Sequence, residues 1–271
     1  MRWVNRKPGK SGALLLGALP LAGLALAYIV AAAARHADNP ADKILPLPGG
    51  MAEAMALLLF TPDPMSGELL FWADTLASLS RLGMGLGIAT LAALLVGLVI
   101  GVLPMIRATF GPLLTTLAVI PPIALLPILF IAFGLGEVAK VALIVIGVAP
   151  FMIRDVAGHV TALPREQVVK ALTLGANSWG VMLRVALPQA LPRLIEGLRL
   201  SLGPAWVFLI SAEAIAADVG LGYRIFLVRR YLAMDVILPY VAWIALLAVV
   251  MDFALVLLSR RLCGWAHAGG R

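Results

Sequence analysis

Charge is scarce in this chain. Asp, Glu, Lys and Arg make up 13% of its 271 residues, where soluble domains carry about 25%. An ordinary soluble fold is excluded, because several uncharged runs of about 20 residues would have no polar face to turn to water. Cysteine occurs once, at Cys263, so no intrachain disulfide and no cysteine metal cluster can form. His36, His159 and His267 stand far apart and outside the apolar runs, which argues against a metal site. It also leaves no histidine within a span to activate a nucleophile, so an intramembrane hydrolase is disfavoured. A nucleotide-binding loop is lacking too. Gly9-Lys10-Ser11 matches the end of a phosphate-binding loop, but Val4 stands where its first glycine is required. The match also precedes an apolar run instead of following a strand. The chain is therefore expected neither to hydrolyse ATP nor to carry a cofactor or metal.

What is abundant is apolar: 62% of residues are hydrophobic. The chain reads as an all-α polytopic membrane protein of about six transmembrane helices. A net charge of +7 would suggest nucleic acid in a soluble chain. Here the bias of Lys and Arg toward one membrane side accounts for it, and no nucleic-acid partner is expected.

Residues 1–11 carry Arg2, Arg6, Lys7 and Lys10 and no acid. Residues 12–34 form a first apolar run, long enough to cross about 30 Å of hydrocarbon. A cleaved signal peptide is the competing reading, since Ala32-Ala33-Ala34 resembles a small-residue cleavage site; the length of the run favours a retained span. Residues 35–75 are mixed, with a patch at 54–60 too short to cross, which reads as lying on the membrane or the bundle. Residues 76–258 hold five further spans, near 82–103, 113–133, 141–153, 194–217 and 236–258, and 259–271 form a tail. Pro104 to Pro112 reads as a turn. Pro121, Pro122 and Pro127 fall inside the third span, where they free backbone carbonyls that must face other helices or water. Pro121 and Pro122 are thus candidate pathway residues.

Six spans put both termini on one side, and 14 of the 21 Lys and Arg fall there. That excess places the termini and residues 154–193 in the cytoplasm, and 35–75 outside.

Leu163–Pro192 is the longest polar interruption in the second half. Pro164 suits the first turn of a helix and Glu166 places a favourable charge near its N-terminus. Val168, Val169 and Leu172 share one face. Gly175 stands where a glycine stop is expected, and Asn177 can cap a second helix, 178–186, with Trp179, Met182 and Leu183 on one face. Leu187-Pro188 and Leu191-Pro192 are read as ending it. Two short helices hinged on a glycine form a knob suited to a groove on a partner; an amphipathic loop resting on lipid headgroups is the alternative.

The order Ala171, Leu174-Gly175-Ala176, Val185-Ala186-Leu187-Pro188, Ala190-Leu191-Pro192, Gly197-Leu198-Arg199 resembles the Glu-Ala-Ala loop of ABC importer permeases. The likeness continues through Ala205-Trp206, Ala212-Glu213 and Gly220-Leu221-Gly222-Tyr223, and covers roughly residue 78 to the C-terminus. Within that family the pattern is similar to the nitrate, sulfonate and taurine branch. The resemblance implies a type I ABC importer permease fold in the bacterial inner membrane. It also implies a pair of separate ATPase subunits, an extracytoplasmic solute-binding protein and a second permease copy. The loop would then be the ATPase-coupling element, through Glu166, Val169, Ala171, Leu174, Gly175, Ala176, Trp179, Leu183, Leu187 and Pro188. In one respect the chain departs from the pattern: Val169-Lys170-Ala171 fill the Glu-Ala-Ala slots, with Glu166 one turn earlier. Residues 223–235 also resemble permeases encoded beside urea- or guanidine-carboxylating enzymes, which would allow a small nitrogenous solute. The alternative class is an ion-coupled secondary transporter, for which the inverted repeats are not seen.

Ionisable groups inside spans are costly, by about 2.5–3.5 kcal/mol at the helix centre, and so mark function by default. Glu213 is a candidate for the translocation pathway or for pairing with an arginine such as Arg81. Trp206 is a candidate for the pathway or for packing. Asp252 is expected to pair or to reach the interface, and Arg199 to anchor there or at a contact between copies.

Overall fold

The computed structural model describes residues 8–40 and 42–266. The basic stretch 1–7 and the end of the tail, with His267, lie outside the described residues. Among the described residues there are helices and no strands. They are α1 (Lys10–Asp38), α2 (Pro48–Phe60), α3 (Leu70–Val102), α4 (Pro104–Leu117), α5 (Leu126–Phe133) and α6 (Glu137–Thr161). There follow α7 (Arg165–Thr173), α8 (Ser178–Val181), α9 (Leu187–Ala216), α10 (Leu221–Val228) and α11 (Met234–Leu262). Five helices are long and apolar enough to cross a membrane, and a pair bent by 85° makes up to six.

The core is α3, α6 and α9, with α10 and α11 packed beside them. Gly85, Ala89, Ala93, Gly97 and Gly101 recur every fourth residue on α3 and are all buried. A Cβ on Gly85, Gly97 or Gly101 would meet Ile144, Val156 or Val160 of α6 in turn, at 2.7, 2.9 and 2.6 Å. Small residues are what allow two helices to approach this closely without a hydrophobic drive between them. The constant offset makes α3 and α6 parallel. By contrast α9 is antiparallel to both: Ser78 meets Glu213, and Asp155 meets Arg193.

Two parallel neighbours require the chain between them to return, and that return is the broken pair. The expected third span, 113–133, is not one helix, and 104–112 is not a turn. The chain forms α4, a turn at 118–120, an extended Pro121, a 3-10 turn at Pro122–Leu125 and then α5. Ile120 and Pro121 each precede a proline, which disfavours the helical region for both. Pro104, by contrast, sits in the first turn of α4, where a missing N–H costs nothing. Two other expected boundaries shift. The second span begins at Leu70 and not near 82, because its polar residues are satisfied inside the bundle; the fourth extends to 137–161. The short patch at 54–60 lies within α2, which packs on α3 and α11.

Candidate functional site

The knob is built as its residues dictate. Pro164 is the N-cap of α7, one position before the expected first turn, and Glu166 stands exposed in that turn. At the other end Gly175 has φ +85, a conformation glycine takes without a Cβ penalty. Its N–H donates to the Leu172 carbonyl at 3.0 Å, and the Ala176 N–H to the Ala171 carbonyl at 3.0 Å. These are the paired bonds of a Schellman stop. The Asn177 side chain then accepts from the Gly180 N–H at 2.8 Å and starts α8. Gln189 of α9 donates to Gln167 of α7 at 2.8 Å, tying the two limbs together.

The second limb does not end where expected. Met182–Ala186 is a π turn in which the Leu187 N–H reaches back to the Met182 carbonyl. This wider turn admits Pro188 at the start of α9 without stopping the helix. Ser178–Ala216 is therefore one 39-residue helical run, continuous from knob to core. The turn also rotates Met182 inward: it is buried, while Trp179 and Leu183 stay exposed.

The knob has two apolar faces. Val168, Val181, Val185 and Ala186 line a cavity with Gly101, Val102, Pro104 and Val160 at the ends of α3 and α6. Val169, Leu172, Leu174, Trp179 and Leu183 point away from the bundle, and Leu174 is 80% exposed. Ala171 and Leu187 are half-buried between the faces, and Ala176 is half-buried at the hinge. Charged side chains cover the adjoining surface. Arg193 pairs with Asp155 at 2.6 Å and with Glu196 at 3.1 Å, and Arg199 pairs with Asp252 at 2.8 and 3.0 Å.

At the opposite end lies a buried polar cluster. Glu213 is fully buried; it accepts from Ser78 at 2.8 Å, from Arg81 at 2.7 Å and from the Gly222 N–H at 2.9 Å. Arg81 also pairs with Glu137, which Lys140 meets at 2.9 Å. Asp74 is fully buried and accepts from the Gly220 N–H at 2.9 Å, Arg224 at 2.7 Å and the Tyr240 hydroxyl at 3.2 Å. The cluster clamps the Ala217–Gly222 loop onto α3, and Gly220, at φ +140, has no room for a Cβ beside the Glu213 carboxylate.

Of the expected pathway residues, Glu213 and Trp206 reach no open surface in this chain, and the Trp206 indole N–H finds no partner among the described residues. The Arg81 pairing is what the structure shows for Glu213. Pro121 is exposed and Pro122 half-buried, both at the break between α4 and α5. Sequence reading missed Asp74 and Ser78. Their signal was the spacing of Asp74, Ser78 and Arg81, which puts three polar groups on one face of an apolar helix.

Residues 85–263 match the family described as the binding-protein-dependent transport system inner membrane component. The chain belongs to that family. Among the relatives of this inner-membrane ABC permease is the taurine transport system permease protein TauC of Escherichia coli. It is 36% identical over 222 residues, covering 82% of this chain and 80% of the relative. The bicarbonate transport system permease protein CmpB of Synechococcus elongatus is 34% identical over 158 residues, 58% of this chain and 56% of the relative. The MetNI methionine ABC transporter in an inward-facing conformation has a chain of the same fold. Its TM-score is 0.64 at 21% identity, covering 74% of this permease and 98% of that chain. The fold is that of a type I ABC importer permease. The family match includes the whole knob and the Glu213 end of the cluster, but begins after Asp74, Ser78 and Arg81.

Proposed function

We propose that this permease passes a small polar solute from a binding protein into the cytoplasm, and that the 163–192 knob couples it to a separate ATPase subunit. The observation that carries the reading is the outward face of the knob. Its apolar side chains stand on a scaffold fixed by a Schellman stop, an Asn cap and the Gln167–Gln189 bond, while the other face is seated on the bundle. A rigid, two-faced element with its outer face bare fits a groove on a partner. Resting on lipid would need no such scaffold. The Glu-Ala-Ala slot holds Val169, and Glu166, exposed one turn earlier, supplies the carboxylate. No phosphate-binding loop stands in the chain, so ATP is hydrolysed by the partner pair, and a second permease copy completes the translocation path.

The solute is a small oxyanion of the sulfonate or carboxylate kind. The names of relatives carrying taurine and bicarbonate favour it. A guanidinium-like cation would have needed Glu213, whose charge Arg81 takes up.

Co-expression with its cognate ATPase subunit tests the coupling. Replacing both Leu174 and Leu183 by Asp is expected to abolish co-purification and solute-stimulated ATP hydrolysis while the permease inserts normally. Undiminished ATPase association in that variant would sink the reading. Glu166→Ala is expected to lower ATP-coupled uptake without releasing the ATPase; unchanged uptake would leave Glu166 as a helix-terminus charge only.

A further inference from the structure

Intrahelical prolines also stand in α1, α4 and α11, but α6 and α9 bring two of them together on one exposed surface. Outward residues of α3 and α11, such as Leu91, Leu95, Leu246 and Val249, are those of a lipid-facing helix. Between the Gly147–Phe208 approach and the Asp155–Arg193 pair, α6 and α9 instead bring Pro150 and Pro204 to one depth. Neither proline has an N–H, so the carbonyls of Ile146 and Leu200, both on exposed residues, lose their helical donors. Freed carbonyls at membrane depth must meet water or protein. Gly203 and Pro204 are also exposed, and Ser211 two turns on is half-buried. Toward the knob the same surface deepens into a cleft of about 490 Å³ lined by Phe151, Arg154, Asp155, Gly158, His159 and Arg193. The Arg193 charge is spent on Asp155 and Glu196. Arg154 is exposed and makes no hydrogen bond or ion pair among the described residues.

We propose that the joint α6/α9 face is a wall of the aqueous solute path, and that Arg154 is its contact for a small oxyanion. The second half rests on the oxyanion reading above; the first does not. A guanidinium offers a sulfonate or carboxylate two parallel donors, and Asp155, held by Arg193, stands beside it to keep an unoccupied site close to neutral. A lipid phosphate offers the same chemistry as the solute.

The test uses the full chain in vesicles, with Cys263→Ser as background and single cysteines introduced at Gly203 and Val207 on the face, and at Leu246 and Val249 as lipid-facing controls. No ATPase is present, so failure of coupling cannot imitate failure here. A membrane-impermeant thiol reagent is expected to label the face positions about tenfold faster than the controls. Equal rates in the reduced protein would overturn the water-path assignment and make the face a lipid or buried inter-copy contact. Millimolar taurine or methanesulfonate is expected to slow labelling at Gly203→Cys in phosphatidylcholine and phosphatidylglycerol vesicles alike. Arg154→Gln is expected to remove that protection and Arg154→Lys to keep part of it. In the assembled transporter, Arg154→Gln should raise the KM for uptake about tenfold with kcat little changed. Protection that follows phosphatidylglycerol content and ignores sulfonate would assign Arg154 to a headgroup and overturn the solute contact.

Discussion

Two carboxylates govern the end of the bundle opposite the knob. Glu213 and Asp74 are each fully buried and each hold an arginine and a backbone N–H of the Gly220–Gly222 loop. Removing one partner of such a pair strands the other charge in a medium that cannot solvate it, at a cost of about 3–5 kcal/mol. Glu213→Leu is therefore expected to lower the thermal unfolding midpoint in detergent sharply. Adding Arg81→Met should restore much of the loss, and strict additivity of the two would contradict a coupled pair. Gly220→Ala is expected to destabilise more than Gly134→Ala. Both glycines have positive φ, but a Cβ at Gly220 would lie 2.6 Å from the Glu213 carboxylate, whereas Gly134 faces open space. The ordering of the two midpoints decides it. Half of this cluster was legible in the sequence. Glu213 and Arg81 stood out as charges bordering apolar runs, but Asp74 and Ser78 lay before the expected start of the span. Their helical spacing becomes informative only once α3 is known to begin at Leu70.

Among elements, the knob was the most legible and the broken span the least. Gly175 and Asn177 act through local backbone geometry, which depends on residues within a turn of themselves, so sequence alone places them. Pro188 and Pro192 misled because proline usually ends helices; whether it does here depends on the π turn at Met182–Ala186, a property of the whole joint. Pro121-Pro122 announced a disturbance, but its 85° size is set by the parallel α3 and α6 on either side. The glycine stripe of α3 makes that pairing testable. Gly97→Val should push Val156 and the α6 backbone away and lower the yield of folded permease in gel filtration, while Gly87→Val, where a Cβ meets nothing within 4 Å, should leave it nearly unchanged. Equal yields from the two variants would mean that α3 and α6 do not meet through this stripe.

At the scale of the molecule, helix directions replace hydropathy as the basis for topology. From residue 70 to 262 the chain runs toward the knob on α3, α6 and α11 and away from it on the broken pair and α9. The end of α1 sits near the start of α11, around a cavity lined by His36, Asp42, Lys43, Tyr231 and Asp235, so α1 would run back toward the cluster end as a sixth crossing. The start of α1 and the end of α11 then lie with the knob. At the cluster end Arg81, Lys140 and Arg224 are consumed in ion pairs inside the bundle, and Arg35 is held by Asp42 at 2.6 Å. Among the described residues, the cations outside ion pairs there are Lys43, Arg229 and Arg230, against Arg107, Arg154, Arg165, Lys170, Arg184, Arg260 and Arg261 at the knob end. The excess of Lys and Arg stays at the knob end, and that excess is what favours a cytoplasmic knob. A green fluorescent protein fused after residue 266 is expected to fluoresce, and one fused at the Tyr231–Leu232 tip to stay dark while alkaline phosphatase there is active. The reverse pattern would place the knob outside the cell, where no ATPase could reach it.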